Sequence, residues 1–220
     1  MSRIRIRRAE PTDFGAIAAI YAHSVRTSAA TFDLDDPPDS YWQAKLDSTS
    51  AGDHFLVACD DDEVVGYAYS WMFRPRPAYD RTRETSVYVA PDATGTGIGT
   101  QLYVELLDLL RKDDVHLVIA AVTQPNPASN ALHRRLGFTE VGTLDEVGFK
   151  FGIYVSAKWF QLSSGLTQPS LACCAQTTES CSPTTGFGGF TARSWGASPR
   201  VTGLERAQIG APSRSSAWPI

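Results

Sequence analysis

Glu84-Thr-Ser-Val-Tyr-Val-Ala-Pro-Asp-Ala-Thr-Gly-Thr-Gly-Ile-Gly-Thr100 decides how the rest of this chain is read. Glu84 to Ala90 carries Val87, Tyr88 and Val89 and reads as a strand, which Pro91 ends. Gly95, Gly97 and Gly99 stand at alternate positions just before Ile98, Leu102, Leu106 and Leu109 or Leu110, which recur at helical spacing. Without Cβ atoms in the way, backbone N–H groups of such a loop turn toward an anion at the helix start. Strand, glycine loop and helix make a phosphate-binding arrangement, although the loop taken alone fits a tight turn equally well.

Upstream, Ile4 to Arg8 alternates as a strand, and Glu10-Pro11-Thr12-Asp13 gives helix-start chemistry ahead of Phe14, Ile17, Ile20, Tyr21 and Val25. A polar loop through Asp33 to Pro38 leads to a short helix capped by Asp39 or Ser40, with Tyr41, Trp42 and Leu46 on one face. His54 to Cys59 and Glu63 to Trp71 form a hairpin around the turn Asp60-Asp61-Asp62. Downstream, Val115 to Val122 reads as a buried strand and Asn126 to Leu136 as a helix stopped by Gly137. Phe138 to Glu146 and Ile153 to Leu162 read as two more strands. The order predicts an α/β fold with a mixed, mostly antiparallel sheet flanked by helices. A dinucleotide fold would place the glycine loop after the first strand of a repeated parallel unit, and an ATP-binding loop would follow the glycines with Lys and Ser or Thr. Neither condition is met.

The pattern ends near Leu162. Residues 163–220 are rich in Ser, Gly, Pro, Thr and Ala, and carry a net +2 of a chain total of −4. Runs such as Pro183-Thr-Thr-Gly-Phe-Gly-Gly-Phe-Thr191 offer too little apolar area to offset ordering entropy. The sequence therefore predicts one domain over 1–162 and an irregular, mostly disordered tail over 163–220, of the kind a shifted reading frame or an interaction segment produces. No basic run exceeds Arg7-Arg8 or Arg134-Arg135, which argues against nucleic-acid partners. No apolar stretch approaches a signal peptide or a membrane span, so a cytoplasmic protein without membrane partners is expected. Cys59 stands apart from Cys173, Cys174 and Cys181, and no spacing suggests a disulfide framework or a metal site.

The glycine loop and the run Asn126-Pro-Ala-Ser-Asn-Ala-Leu-His-Arg-Arg-Leu-Gly-Phe138 together resemble the GNAT acetyltransferase superfamily. The superfamily's loop, Arg or Gln, two residues, Gly, one residue, then Gly or Ala, falls on Thr94 to Gly99, with Thr94 in the place of Arg or Gln. Asn126, Ser129, Leu132, Leu136, Gly137 and Phe138 match the second element. Ala78-Tyr79-Asp80, Glu84 to Val89 and Gly148-Phe-Lys-Phe-Gly152 are similar to phosphinothricin and methionine sulfoximine acetyltransferases, over about Ile4 to Gln161. Ser24, Phe151 and Ser156 depart from that subfamily's usual Tyr, His and Asp.

The resemblance implies an acetyl-CoA-dependent N-acetyltransferase with a small amino-acid-like amine as acceptor, acting by direct attack, and a homodimer. It implies a general base at Glu84, and gives His133 a place where acid, base and substrate contact are all open roles. The acetyl-CoA residues it implies are Ser86, Val87, Tyr88, Thr94, Gly95, Thr96, Gly97, Ile98, Gly99 and Asn126. Ser86 to Tyr88 would pair with the pantetheine arm as an added strand, and Asn126 would serve as helix cap, pantetheine contact or both. Phe73, Arg74, Arg83, Glu84 and Thr85 match the subfamily's substrate wall, where an Arg can face a carboxylate. A CoA-binding protein without turnover and a protein N-acetyltransferase are the competing functions.

Overall fold

The computed structural model describes residues 4–163, which lie within one compact unit, Met1–Gln168. The described elements are β1 (Ile4–Arg8), α1 (Phe14–Thr27), α2 (Asp39–Leu46), β2 (Phe55–Asp60), β3 (Glu63–Met72) and β4 (Thr82–Val89). They continue with α3 (Ile98–Lys112), β5 (Leu117–Thr123), α4 (Pro127–Arg135), β6 (Thr139–Lys150) and β7 (Ile153–Ser163). The strands form one sheet in the order β1-β2-β3-β4-β5-β7-β6, antiparallel at every junction except β4–β5. The mixed, mostly antiparallel α/β architecture expected from the sequence is the one observed. The proposed tail lies outside the described residues except for Ser163, which pairs with Leu117 and carries β7 one residue past Leu162.

Alternation along β2 and β3 explains why both strands are almost wholly apolar: each face of the sheet is covered. On one face Leu56, Ala58 and Ala68 meet Leu102, Leu106 and Leu110, which recur every four residues down α3. On the other, Phe55, Val57, Tyr67 and Tyr69 meet Ile17, Tyr21 and Val25 of α1 and Trp42 of α2. Leu106 is fully buried, so its truncation to Ala would cost about 2–5 kcal/mol.

Two departures from the sequence reading have local causes. β6 runs on to Lys150 instead of ending at Glu146, because a bulge absorbs Asp145 to Val147 and the ladder resumes at Gly148. Glu146 takes φ 53° in that bulge, and its N–H donates to Ser156 Oγ at 3.0 Å. Ser156, one of the subfamily departures, thus pins the hairpin. The second departure is β4, which begins at Thr82 because Thr82, Arg83 and Glu84 pair in parallel with Leu117, Val118 and Ile119. Past Glu84 no further β4–β5 partners exist, and the sheet opens into a cleft at that point. No helix among the described residues is long and apolar enough to cross a membrane.

Candidate active site

A cavity of about 460 Å³ occupies the opening, lined by β4 from Thr85 to Val89, the glycine loop, the start of α3, β5 and α4. Beyond Glu84 the β4 edge facing β5 has no strand partner, so Ser86, Val87 and Tyr88 offer backbone groups to an extended ligand. Gly97 caps α3 with φ 90°, and Gly95 has φ 78°, both in the left-handed region. A Cβ on either glycine would meet nothing within 4 Å, so the space over the loop is open. Unsatisfied N–H groups of the first turn of α3 and the positive end of its dipole suit a pyrophosphate there.

Thr94, Gly95, Gly97, Ile98, Gly99 and Asn126 all line the cavity, while Thr96 does not. Thr94 Oγ1 donates to Pro91 O at 2.9 Å and Thr96 Oγ1 to Ala93 O at 2.7 Å, so both hydroxyls close the turn and are not aimed at a ligand. Asn126 Oδ1 accepts from Ser129 N at 3.0 Å as an N-cap, which leaves its amide N–H groups as donors toward the cavity. Arg135, in the last turn of α4, also reaches the cavity and supplies a cation there. Nothing in the sequence singled it out from the adjacent Arg134, which pairs with Glu140 at 3.0 Å.

His133 is 2% exposed, its ring stacked on Phe160 with centroids 5.2 Å apart. Nδ1–H donates to Ser129 O at 2.7 Å, which leaves Nε2 to accept from the Tyr103 hydroxyl at 3.0 Å. Burial pushes the His133 pKa down and the Tyr103 pKa up, so both are neutral at pH 7. Thr85 Oγ1 lies 3.3 Å from the Tyr103 hydroxyl and extends the chain toward β4. Thr85, Tyr103 and His133 all line the cavity. Tyr103 is a functional residue that the helical spacing does not reveal. Its apolar neighbours Leu102, Leu106 and Leu107 hide a buried hydroxyl in the pattern.

Glu84 sits where β4 and β5 part and faces the α1–α2 side of the sheet together with Trp71, its antiparallel partner on β3. Burial raises its pKa above the ordinary carboxylate range, while the charges of Arg74 and Lys45 act against that rise. Arg74 is exposed, with its guanidinium 4.7 Å from the centre of the Phe73 ring, and Phe73 packs edge-on against Tyr79 and Trp159. These two lie at the outer end of β3, beside Glu84. Lys45, on α2, is the second cation near Glu84, and no motif in the sequence marks it.

Arg83 is the expectation that needs correcting. It is 3% exposed and points to the opposite face from Glu84, as strand alternation requires. Its Nε lies 2.9 Å from Asp53, and its other nitrogens donate to Ser50 Oγ and to the carbonyls of Ala51, Asp80 and Thr82. Gly52 lets this happen, since a Cβ there would lie 3.0 Å from Arg83 Nε and 2.7 Å from Val115. Arg83 is a buried strut that ties the loop before β2 to the start of β4, and it does not form part of the acceptor wall.

A splayed parallel strand pair, an anion-cradling glycine loop and a half-buried carboxylate at the fork define a CoA-dependent acyltransferase site. The acetyltransferase (GNAT) family model matches residues 17–138. A phosphinothricin N-acetyltransferase of Streptomyces coelicolor is 40% identical over 164 residues, covering 73% of this chain and 96% of that protein. An L-methionine sulfoximine/L-methionine sulfone acetyltransferase of Pseudomonas paraeruginosa is 38% identical over 160 residues, covering 72% and 93%. The crystal structure of a GNAT phosphinothricin acetyltransferase from Sinorhizobium meliloti in complex with acetyl-CoA superposes with a TM-score of 0.71 at 34% identity, covering 77% of this chain and 94% of that one. The chain belongs to the GNAT acetyltransferase family, and acetyl-CoA is its acetyl donor.

Proposed function

We propose that this enzyme acetylates the amine of a small amino-acid-like acceptor of the phosphinothricin or methionine sulfoximine type, with Glu84 as general base. The observation that carries the reading is the position of Glu84, half-buried at the fork of β4 and β5 with a raised pKa. The names of the relatives at 38–40% identity supply the acceptor class. Glu84 takes a proton from the acceptor ammonium, and the freed lone pair forms a C–N bond at the thioester carbonyl carbon. A backbone N–H on the unpaired β4 edge meets the developing oxyanion. Collapse breaks the C–S bond. Of the two protons nitrogen loses, Glu84 passes one to solvent; the second is balanced at sulfur by the Tyr103 hydroxyl, which turns its O–H from His133 Nε2 to the departing thiolate and takes the nitrogen's proton in exchange. Ser86 to Tyr88 and Asn126 hold the pantetheine arm, the loop Thr94 to Gly99 the pyrophosphate, and Arg135 adds a phosphate contact in the place where Thr94 offers none.

The same reading includes a cytoplasmic homodimer and a catalytic domain over 1–162. Val141, Leu144, Val147, Phe149, Ile153 and Tyr154 are exposed along β6 and β7, and β6 is a sheet edge, a combination that favours burial against a second copy. Sedimentation at micromolar concentration should give twice the chain mass.

A free-thiol assay on the full chain tests the function, with acetyl-CoA and a panel of phosphinothricin, methionine sulfoximine, methionine sulfone, ordinary amino acids and short peptides. Amine-dependent CoA release with the amino-acid analogues supports the reading. Release with peptides alone would make it a protein acetyltransferase, and acetyl-CoA binding without release a CoA-binding protein.

A further inference from the structure

We propose that Lys45 binds an oxyanion of the acceptor, its α-carboxylate or a side-chain acid, beside the Glu84 base. This rests on the acyl-transfer reading above and adds to it the residue that selects acidic acceptors. Helix α2 turns only Trp42 and Lys45 fully inward, and Lys45 is 8% exposed. Its Nζ lies 4.0 Å from the centre of the Tyr69 ring, 4.4 Å from Tyr41 and 4.6 Å from Trp71. Three rings attract a cation but do not neutralise it, and a buried ammonium normally has an anion beside it.

Among the described residues no carboxylate lies within ion-pairing distance of Nζ. The three acids that favour its charged form are Asp53, Glu84 and Asp33. Asp53 is taken by Arg83 at 2.9 Å and by Ser48 at 2.7 Å, and Asp33 accepts from Tyr21 at 2.5 Å. Glu84 must stay free to take the amine proton. The missing anion is therefore one that arrives with the acceptor.

Strand register puts Lys45 in the right place. Tyr69, its nearest ring, lies opposite Ser86, which lines the cavity, and Trp71 lies opposite Glu84. An acceptor with its amine at Glu84 thus extends along the face that Tyr69, Trp71 and Lys45 share. Arg74 stands on the exposed side of Glu84 and Lys45 on the interior side, so the base is flanked by two cations. Such a pair suits an acceptor with two polar ends. Burial brings the Lys45 pKa down to about 8, which still leaves it mostly protonated at pH 7 and able to receive an anion.

The test compares the full-length protein with Lys45→Met, which keeps the reach into the cage and removes the charge. Four acceptors separate the anions: phosphinothricin has both, methionine sulfone only the carboxylate, 3-aminopropyl(methyl)phosphinate only the side-chain acid, and butylamine neither. Turnover is read with acceptor binding by calorimetry in the presence of CoA. The expected result is a KM and Kd raised about 10- to 100-fold for acceptors that carry the paired oxyanion, with butylamine and acetyl-CoA within about twofold. A loss shared by phosphinothricin and methionine sulfone assigns the carboxylate, and one confined to the two phosphinates assigns the side-chain acid. Equal losses on all four, a lower kcat at unchanged KM, or no change overturns the proposal. Lys45-dependent binding without turnover by the unaltered protein would refute acyl transfer and leave this site standing, whereas absence of both turnover and binding would overturn it too.

Discussion

Lys45→Met should make the protein more stable at neutral pH, and the gain should disappear in alkali. Burial lowers the Lys45 pKa from 10.5 to about 8, so the folded state disfavours the charged form by about 3 kcal/mol. Attraction to the three rings gives back about 0.5–2 kcal/mol, which leaves a net gain of about 1–3 kcal/mol for the uncharged variant. The sign follows from proton counting. Between pH 8 and 10.5 the unfolded chain holds the lysine proton and the folded chain has lost it, so wild-type stability rises with pH across that window. Below pH 8 both states are protonated and the penalty is fully present. Thermal unfolding by circular dichroism, without acceptor, should show Lys45→Met melting about 2–10 °C higher at pH 7 and level with wild type near pH 10.5. A variant that melts lower than wild type by the same amount at both pH values would refute the reasoning, because the cage would then hold a favourable contact in place of an uncompensated charge.

Arg83→Met should cost about 3–5 kcal/mol by leaving buried Asp53 without its partner, and any folded fraction should keep the wild-type acceptor KM. A raised KM in a fully stable variant would return Arg83 to the acceptor wall. Tyr103→Phe removes the donor to His133 Nε2, so kcat should fall at least about tenfold while the acetyl-CoA KM stays within about twofold. Gly97→Ala forces φ 90° on a residue with a Cβ, at a cost of about 1–2 kcal/mol, and should raise the acetyl-CoA KM while the acceptor KM stays put.

Much of the fold was legible because each element carries its own period. Leu102, Leu106 and Leu110 mark α3, and the doubly apolar runs of β2 and β3 mark strands covered on both faces. The glycine loop was legible because only glycine suits φ near 90° at Gly97. What the sequence hid were facts of side-chain direction across elements distant in the chain. Arg83 and Glu84 are adjacent, yet strand alternation sends one to Asp53 and the other to the fork, and only the register of β4 on β3 tells which. Tyr103 and His133 meet across 30 positions, and Lys45 meets Tyr69 and Trp71 through the packing of α2 on β3. The face of α2 with Tyr41, Trp42 and Leu46 was legible, but nothing in its spacing says that the charged Lys45 is buried with them.

The most direct test of the central claim is the pH profile of kcat/KM for amine-dependent CoA release by wild type and Glu84→Gln. If Glu84 is the base, the wild-type rate falls as pH drops through a pKa above the ordinary carboxylate value of 4.5, since only the ionised form accepts the amine proton. Glu84→Gln should then lose at least about 100-fold in rate along with that acid limb, while still binding acetyl-CoA. A Glu84→Gln enzyme within a few-fold of wild type, or with the same acid limb, would contradict the assignment.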